Sequence, residues 1–384
     1  MVQAQKRVLP FEGVVLVLQG GGALGAYQAG VFQALDEADI ELNWLCGISI
    51  GAINAALIAG SPPDRRVAHL REFWEAVTQP EPASGFSWLA NPLWPSPENG
   101  LIWANRMSAF GTMLYGARNF FSLRPVLPVG SSAEKPDLVS FYDLSPLKAT
   151  LARLVDFDLI NAKAMRLSVG ATHVRTGQAI WFENTEREIA LNHIIASASL
   201  PPGFPATEVD GEYYWDGGVV SNTPMQWVVD NRPYSTGLVF QVDLWDATGE
   251  VPLDIAAANM RAMEIHSASR VNISVEEYRK MQRIRSALGG ILEQIPEDRR
   301  NEPEYLMLAE ETHATVATLV QLKYETKKYE LASKIFEFSR RGMEEHWQAG
   351  HDDMRAVLEE PGVLELPHAS EGVRVFAPRK GADG

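Results

Sequence analysis

The stretch Trp44–Gly60, WLCGISIGAINAALIAG, restricts the fold of this chain more than any other. Trp44-Leu45-Cys46 is apolar without a break and reads as the end of a buried strand. Ala52 to Ala59 is rich in Ala, Ile and Leu and reads as a buried helix. Between them stands Gly47-Ile48-Ser49-Ile50-Gly51, a Gly-x-Ser-x-Gly pentapeptide. Strand, tight turn and helix with a serine at the turn is the geometry of a nucleophile elbow, which presents the hydroxyl above the sheet. A Cβ on either flanking glycine would meet the crossing strand or helix. The positive end of the following helix favours negative charge at the serine. The plainer alternative is a glycine-rich turn with a helix-capping serine.

An earlier stretch has the same rhythm. Val14–Leu18 is a short apolar strand, residues 19–25 (QGGGALG) are a glycine-rich loop, and Ala26 to Ala38 reads as a helix. This alternation predicts a mostly parallel sheet covered on both faces, a three-layer α/β/α sandwich. The 384 residues, 46% hydrophobic and 22% charged, suffice for such a core. A net charge of −15 leaves nothing to neutralise phosphate over a broad face, which argues against nucleic acid. The single cysteine, Cys46, excludes an internal disulfide and a cysteine-based metal cluster. Its place in a buried strand predicts an inert thiol. Lys6 and Arg7 precede an apolar run of only five residues, too short for a signal peptide, and no segment approaches membrane-spanning length. A cytoplasmic protein is the expectation.

The remaining chain reads as follows. Residues 62–79 continue as a helix. From Pro80 to Asp137 prolines are frequent and aromatics dense, which predicts an irregular insertion with short helices. It serves either as an apolar lid or entrance, with Trp88 and Trp94 at its rim, or as a surface insertion packed on the core. Helices are expected over 146–155 and 189–197, and strands over 166–173, 178–182 and 237–244. Beyond Leu253 the pattern is mainly helical. Met281, Ile284, Leu288, Ile291 and Ile295 alternate spacings of three and four, as in a coiled-coil seam that would admit a second copy of the chain. Gly289-Gly290 interrupts the seam, so packing on the chain's own core is expected instead. Residues 315–324 read as a strand, 333–358 as two helices and 377–384 as a frayed tail. Arg118, Arg124, Arg279, Lys280, Arg283 and Arg285 are the cations available for a local basic patch against a membrane; a solvated helix face is the plainer reading of 279–285.

The glycine-rich loop has two chemical readings. Gly20-x-Gly22-x-x-Gly25 fits a dinucleotide fingerprint, but that site wants an acidic residue ending the second strand. Glu41 precedes that strand, and Cys46-Gly47-Ile48-Ser49 ends it. The other reading is an oxyanion hole, in which backbone N–H groups converge on a carbonyl oxygen. Both loops lie on successive strands and reach one sheet edge, where a donor loop beside a serine elbow suits acyl transfer. A nucleophilic serine needs a base. Asp216-Gly217-Gly218 follows an aromatic strand; Asp-Gly is also a common turn pair, and spacing does not decide between the two. A Ser-Asp-His triad would need one of His266, His313, His346, His351 or His368, none of which sits in a glycine-rich turn.

QGGGALGAYQAGV (19–31), GISIGAINAA (47–56) and ASLPPGFPATEVDGEYYWDGGVVSNTP (198–224) together resemble the patatin-like phospholipase family, in its motif order. The resemblance implies a catalytic domain over 10–245, interrupted by the 80–137 insertion. It further implies a mainly helical accessory region over 246–376 that follows such domains in bacterial members. It implies a serine acyl-ester hydrolase with a Ser49–Asp216 dyad, an oxyanion hole at Gly20, Gly21 and Gly22, and no metal or cofactor. Its substrate would be a lipid or another acyl ester, met at a peripheral membrane contact. Carboxylester, thioester or short-polyester hydrolysis is the alternative within the class; a dinucleotide-binding or non-catalytic interaction protein is the alternative outside it. Many members carry Arg or Lys where this chain has Leu24, which removes one candidate partner for an anionic head group.

Overall fold

The computed structural model describes residues 7–79, 97–125, 135–221, 224–231, 233–253, 255–312, 316–327, 329–330, 334–368 and 371–377. In chain order the elements are β1 (Gly13–Leu18), α1 (Ala26–Glu37), β2 (Trp44–Ile48), α2 (Ile50–Ala59), α3 (Arg66–Val77), α4 (Pro97–Tyr115), β3 (Ser122–Leu123), β4 (Tyr142–Asp143), α5 (Ser145–Leu154), α6 (Phe157–Asn161), β5 (Arg166–His173) and β6 (Ala179–Glu183). They continue with α7 (Leu191–Ser197), β7 (Thr207–Val209), β8 (Glu212–Asp216), α8 (Met225–Asn231), β9 (Thr236–Asp243), α9 (Ile255–Leu292), α10 (Pro303–Glu311), β10 (Val316–Lys323), α11 (Arg340–Leu358) and β11 (Val373–Phe376).

One sheet runs in the order β11-β10-β9-β1-β2-β5-β8-β7, with β6 also paired to β5. The six strands from β11 to β5 are parallel neighbours, and β6, β7 and β8 are antiparallel. The strand period of two sorts the side chains. Val15, Val17, Trp44 and Cys46 face one side, where Met225 and Val228 of α8 cover them. Leu16, Leu18 and Leu45 face the other, in the large core shared with α1 and α2. Both faces are covered, so β1 and β2 are buried at every position, as central parallel strands require.

Register along β5 places the two candidate dyad residues. Ile48, the last residue of β2, pairs with Gly170, and Ala171 pairs with Asp216 of β8. β6 fills the other edge of β5 over Ser168–Thr172. So β8 follows β2 along the same edge, and the chain just past Ile48 meets Asp216.

Three expectations are revised. The stretch beyond residue 246 is mainly helical, yet it does not stand apart: β10 and β11 extend the main sheet. Its α11 lies against α1, where a Cβ on Gly30 would come within 1.9 Å of the Trp347 carbonyl and one on Gly350 within 2.0 Å of the Tyr27 carbonyl. Backbone contact that close admits only glycine. The proline-rich insertion contains one long helix, α4, of 19 residues. Pro97 opens it at a position where a missing N–H costs nothing; Trp88 and Trp94 lie outside the described residues. In α9, Gln282 and Leu292 turn inward, while Met281, Ile284 and Ile291 are 47%, 50% and 60% exposed. Three of the five seam residues therefore lie on the outside of the helix instead of packing on the chain's own core, while Leu288 and Ile295 are half-buried.

Candidate active site

Ser49 joins β2 to α2 with φ 57° and ψ −125°. That left-handed φ is costly for a residue with a side chain and is typical of a serine held at a strand-to-helix turn. The turn closes only with small neighbours: a Cβ on Gly47 would lie 2.5 Å from the Gly51 carbonyl, and one on Gly51 2.2 Å from the Leu18 carbonyl. The elbow is braced from α7. The Ser49 backbone N–H donates to Ser197 Oγ at 3.0 Å, and that hydroxyl donates to the Gly170 carbonyl at 2.6 Å.

Asp216 ends β8 and is 2% exposed. Its backbone N–H donates to the Ser199 carbonyl, and its own carbonyl accepts from Thr172 Oγ1 at 2.9 Å. Its carboxylate accepts from the Gly218 N–H at 2.8 Å, and the Ser49 side chain is near enough to favour its ionised form. Burial raises its pKa from 3.8 to about 7; the Ser49 and Gly218 hydrogen bonds pull the other way and only partly offset it. Ser49 and Asp216 line the same cavity.

The loop Gly20–Gly22 is tied down by its carbonyls. Gln28 Nε2 donates to the Gln19 carbonyl at 2.6 Å, Trp245 Nε1 to the Gly20 carbonyl at 2.7 Å, and the Leu24 N–H to the Gly21 carbonyl at 3.3 Å. A trans peptide points its C=O and the next N–H to opposite sides. Anchoring these carbonyls therefore turns the N–H groups of Gly21 and Gly22 the other way. Gly22 has φ +58°, and a Cβ there would lie 2.6 Å from the Ile335 carbonyl. At Gly21 the nearest obstacle is the side chain of the buried Leu244, its Cδ1 at 2.6 Å and its Cβ at 3.0 Å.

Ser49, Asp216 and all three glycines line one cavity of about 570 Å³. Its other walls are mainly apolar and aromatic: Phe120, Phe121, Tyr142, Phe204, Phe338 and Trp245 among them. Phe121 and Phe204 pack edge to face at 5.2 Å, and Phe338 lies 5.6 Å from Phe120. Among the described residues the lining holds no Lys or Arg, and its titratable groups besides Asp216 are Tyr142 and His266. Leu24 is wholly buried and does not line the cavity. Leu200, Val219 and Met263 line the cavity and are also 36–39% exposed, which makes an apolar rim.

The other histidines are engaged elsewhere: His346 bonds Glu330 at 2.7 Å, His351 bonds Glu37 at 2.8 Å, and His193 caps α7. His368 does not line the cavity, and His313 lies outside the described residues. Cys46 is buried and its pKa raised by burial, as an inert thiol should be. Sequence reasoning missed Gln19, Thr172 and Ser197, whose service is only to hold other residues. It also missed the contribution of α9. Ser197 immediately precedes the quoted 198–224 stretch, the one signal that could have found it.

A serine elbow and a buried aspartate facing one cavity, on a mostly parallel α/β/α sandwich, define the class of fold and site. The profile described as patatin-like phospholipase matches residues 16–226, more than half of the chain, and one described as patatin phospholipase matches residues 265–370. The chain belongs to the patatin-like phospholipase family. It is 56% identical over 48 residues to the lysophospholipase nte1 of Aspergillus terreus, covering 12% of this chain and 3% of that protein. It is 37% identical over 68 residues to the putative patatin-like phospholipase domain-containing protein M110.7 of Caenorhabditis elegans, covering 18% and 6%. The matches thus span under a tenth of those curated relatives' lengths. Among solved structures, VipD from Legionella pneumophila matches with a TM-score of 0.36 and 12% identity, over 95% of this chain and 72% of that one.

Proposed function

We propose that the chain hydrolyses acyl esters of lipids through an acyl-enzyme, with Ser49 as nucleophile and Asp216 as base. The observation that carries this is an elbow serine and a buried carboxylate set together at the wall of one apolar cavity. Asp216 takes the Ser49 proton as the oxygen attacks the ester carbonyl. The developing oxyanion is held by backbone N–H groups of Gly20, Gly21 and Gly22. Asp216 returns the proton to the leaving alcohol. Water then gives its proton to Asp216, its oxygen displaces the acyl group from Ser49, and the proton returns to the serine. Each step begins and ends with the elements in hand, and none calls on a metal or cofactor.

The acyl portion is the part the cavity recognises. The head group is left toward the rim, so phospholipid, lysophospholipid and neutral glyceride all fit the proposal, ahead of short soluble esters, thioesters and polyesters. We place the protein in the cytoplasm, touching membranes peripherally; the Leu200–Val219–Met263 rim supports the contact. The exposed Met281, Ile284 and Ile291 keep self-association through α9 within the reading.

A fluorophosphonate tests the reading. Intact-mass and peptide spectra should place one adduct on Ser49. A protein left unmodified under conditions that label a control hydrolase would return the chain to the non-catalytic alternatives. In the glycine loop, Gly22→Ala should lower turnover by about tenfold to a hundredfold, because the strained φ and the Ile335 carbonyl force the donors aside. Gly21→Ala should cost less, since its φ is not left-handed and the nearest atom is a Leu244 methyl instead of a carbonyl. Equal losses in both would mean that the N–H groups are not what matters.

A further inference from the structure

The cavity beside Ser49 is built by both halves of the sequence. Asn259, Met260, Met263 and His266 of α9 line it, as do Ile335, Phe336 and Phe338 from the segment before α11. These groups are seated firmly. Met260, Ile335 and Phe336 pack against the main core. Lys334, 4% exposed, holds Glu264 of α9 at 2.8 Å, and Arg261 holds the same carboxylate at 2.8 Å. Gln19 Nε2 donates to the Ser267 carbonyl at 3.1 Å, which ties α9 to the start of the glycine loop. A buried ion pair fixes geometry more than it stabilises, and here it joins two segments that face one cavity.

The chemistry of the wall is specific. Two methionines and a phenylalanine give this wall, which also carries Asn259 and His266, a flexible apolar stretch that conforms to a linear chain. About 570 Å³ is room for a long acyl chain, far more than an acetyl group occupies. We infer that Met260, Met263 and Phe336 form the acyl-selecting wall of the cavity, so that the C-terminal region sets the preference for a long, unbranched fatty acyl chain. This rests on the hydrolase reading of Ser49.

The test uses the full chain and two n-alkyl fluorophosphonates, butyl and dodecyl, and reads the ratio of their labelling rates at Ser49. The unsubstituted protein should favour dodecyl. Met260→Trp and Met263→Trp should each lower the dodecyl-to-butyl ratio about tenfold or more, since each removes room for several methylenes. Met260→Ser, which overpacks nothing, should lower it about threefold to tenfold by making the wall polar. Ile284→Ser, on the outer face of α9, should leave the ratio where it was. Labelling whose ratio is unmoved by all three wall substitutions, or moved equally by Ile284→Ser, overturns the proposal and leaves the hydrolase standing. An unlabelled Ser49 in the unsubstituted protein removes the hydrolase reading and the wall with it.

Discussion

Asp216→Asn is expected to lower kcat/KM on an activated ester by about a thousandfold to ten-thousandfold, and Ser49→Ala by at least as much. The asparagine has the volume of the aspartate and keeps an oxygen for the Gly218 N–H. The main-chain bonds to Ser199 and Thr172 do not involve the substituted atoms. What is lost is the ability to take a proton from Ser49. Because the two residues act as a unit, the double variant should be little worse than the worse single one. The measurement is kcat/KM normalised by circular dichroism and by a folding midpoint. If Asp216→Asn kept near-full activity while His266→Ala abolished it, an imidazole would replace the carboxylate as base. His266 is the appropriate challenger because it is the histidine among the described residues that lines the cavity.

The elbow was legible because its requirements are local. Two glycines, a serine and an apolar strand and helix within 17 residues leave few other conformations, and the close approaches at Gly47 and Gly51 bear this out. The alternation of strand and helix likewise gave the parallel sandwich. Asp216 was legible as a partner of Ser49 only through the family resemblance, not from spacing: their approach depends on β8 following β2 along β5, with more than 160 positions between the two residues. Long-range pairing also hid the role of the C-terminal region. The weak alternation over 315–324 suggested β10 but not that its neighbour is β9. The spacing from Met281 to Ile291 looked like a buried stripe, yet period alone does not say which face turns inward; Gln282 and Leu292 do. Prolines around α4 looked like breakers, yet Pro97 suits a helix start and opens that helix.

At pH 8 the Asp216→Asn variant should be more stable than the unsubstituted protein, even as it loses activity. Asp216 titrates near 7 in the fold and near 3.8 in the unfolded chain. Below about pH 4 both states are protonated and the aspartate carries no penalty. Between about 4 and 7 the unfolded chain releases the proton and the fold retains it, so stability falls as pH rises, by about 1.4 kcal/mol per unit. Above 7 the fold must bury a bare carboxylate, and the full penalty, up to about 4 kcal/mol, is present. Asparagine has no such term. Asp243, raised to about 6 by burial against the hydrogen bonds of Gln241 and Gln321, adds the same sign over about 4 to 6. That second contribution is common to both proteins and cancels in their difference. Denaturant midpoints should therefore nearly coincide at pH 4 and separate progressively up to pH 7. The turnover of the unsubstituted enzyme should rise through the same midpoint, because only the ionised carboxylate accepts the serine proton. Equal stability of the two proteins at pH 8 would mean that Asp216 is solvated or paired and is no poised base. Coincidence of the two midpoints would tie the loss of stability to the gain in rate at one atom group, the trade-off expected where a buried charge is kept for chemistry.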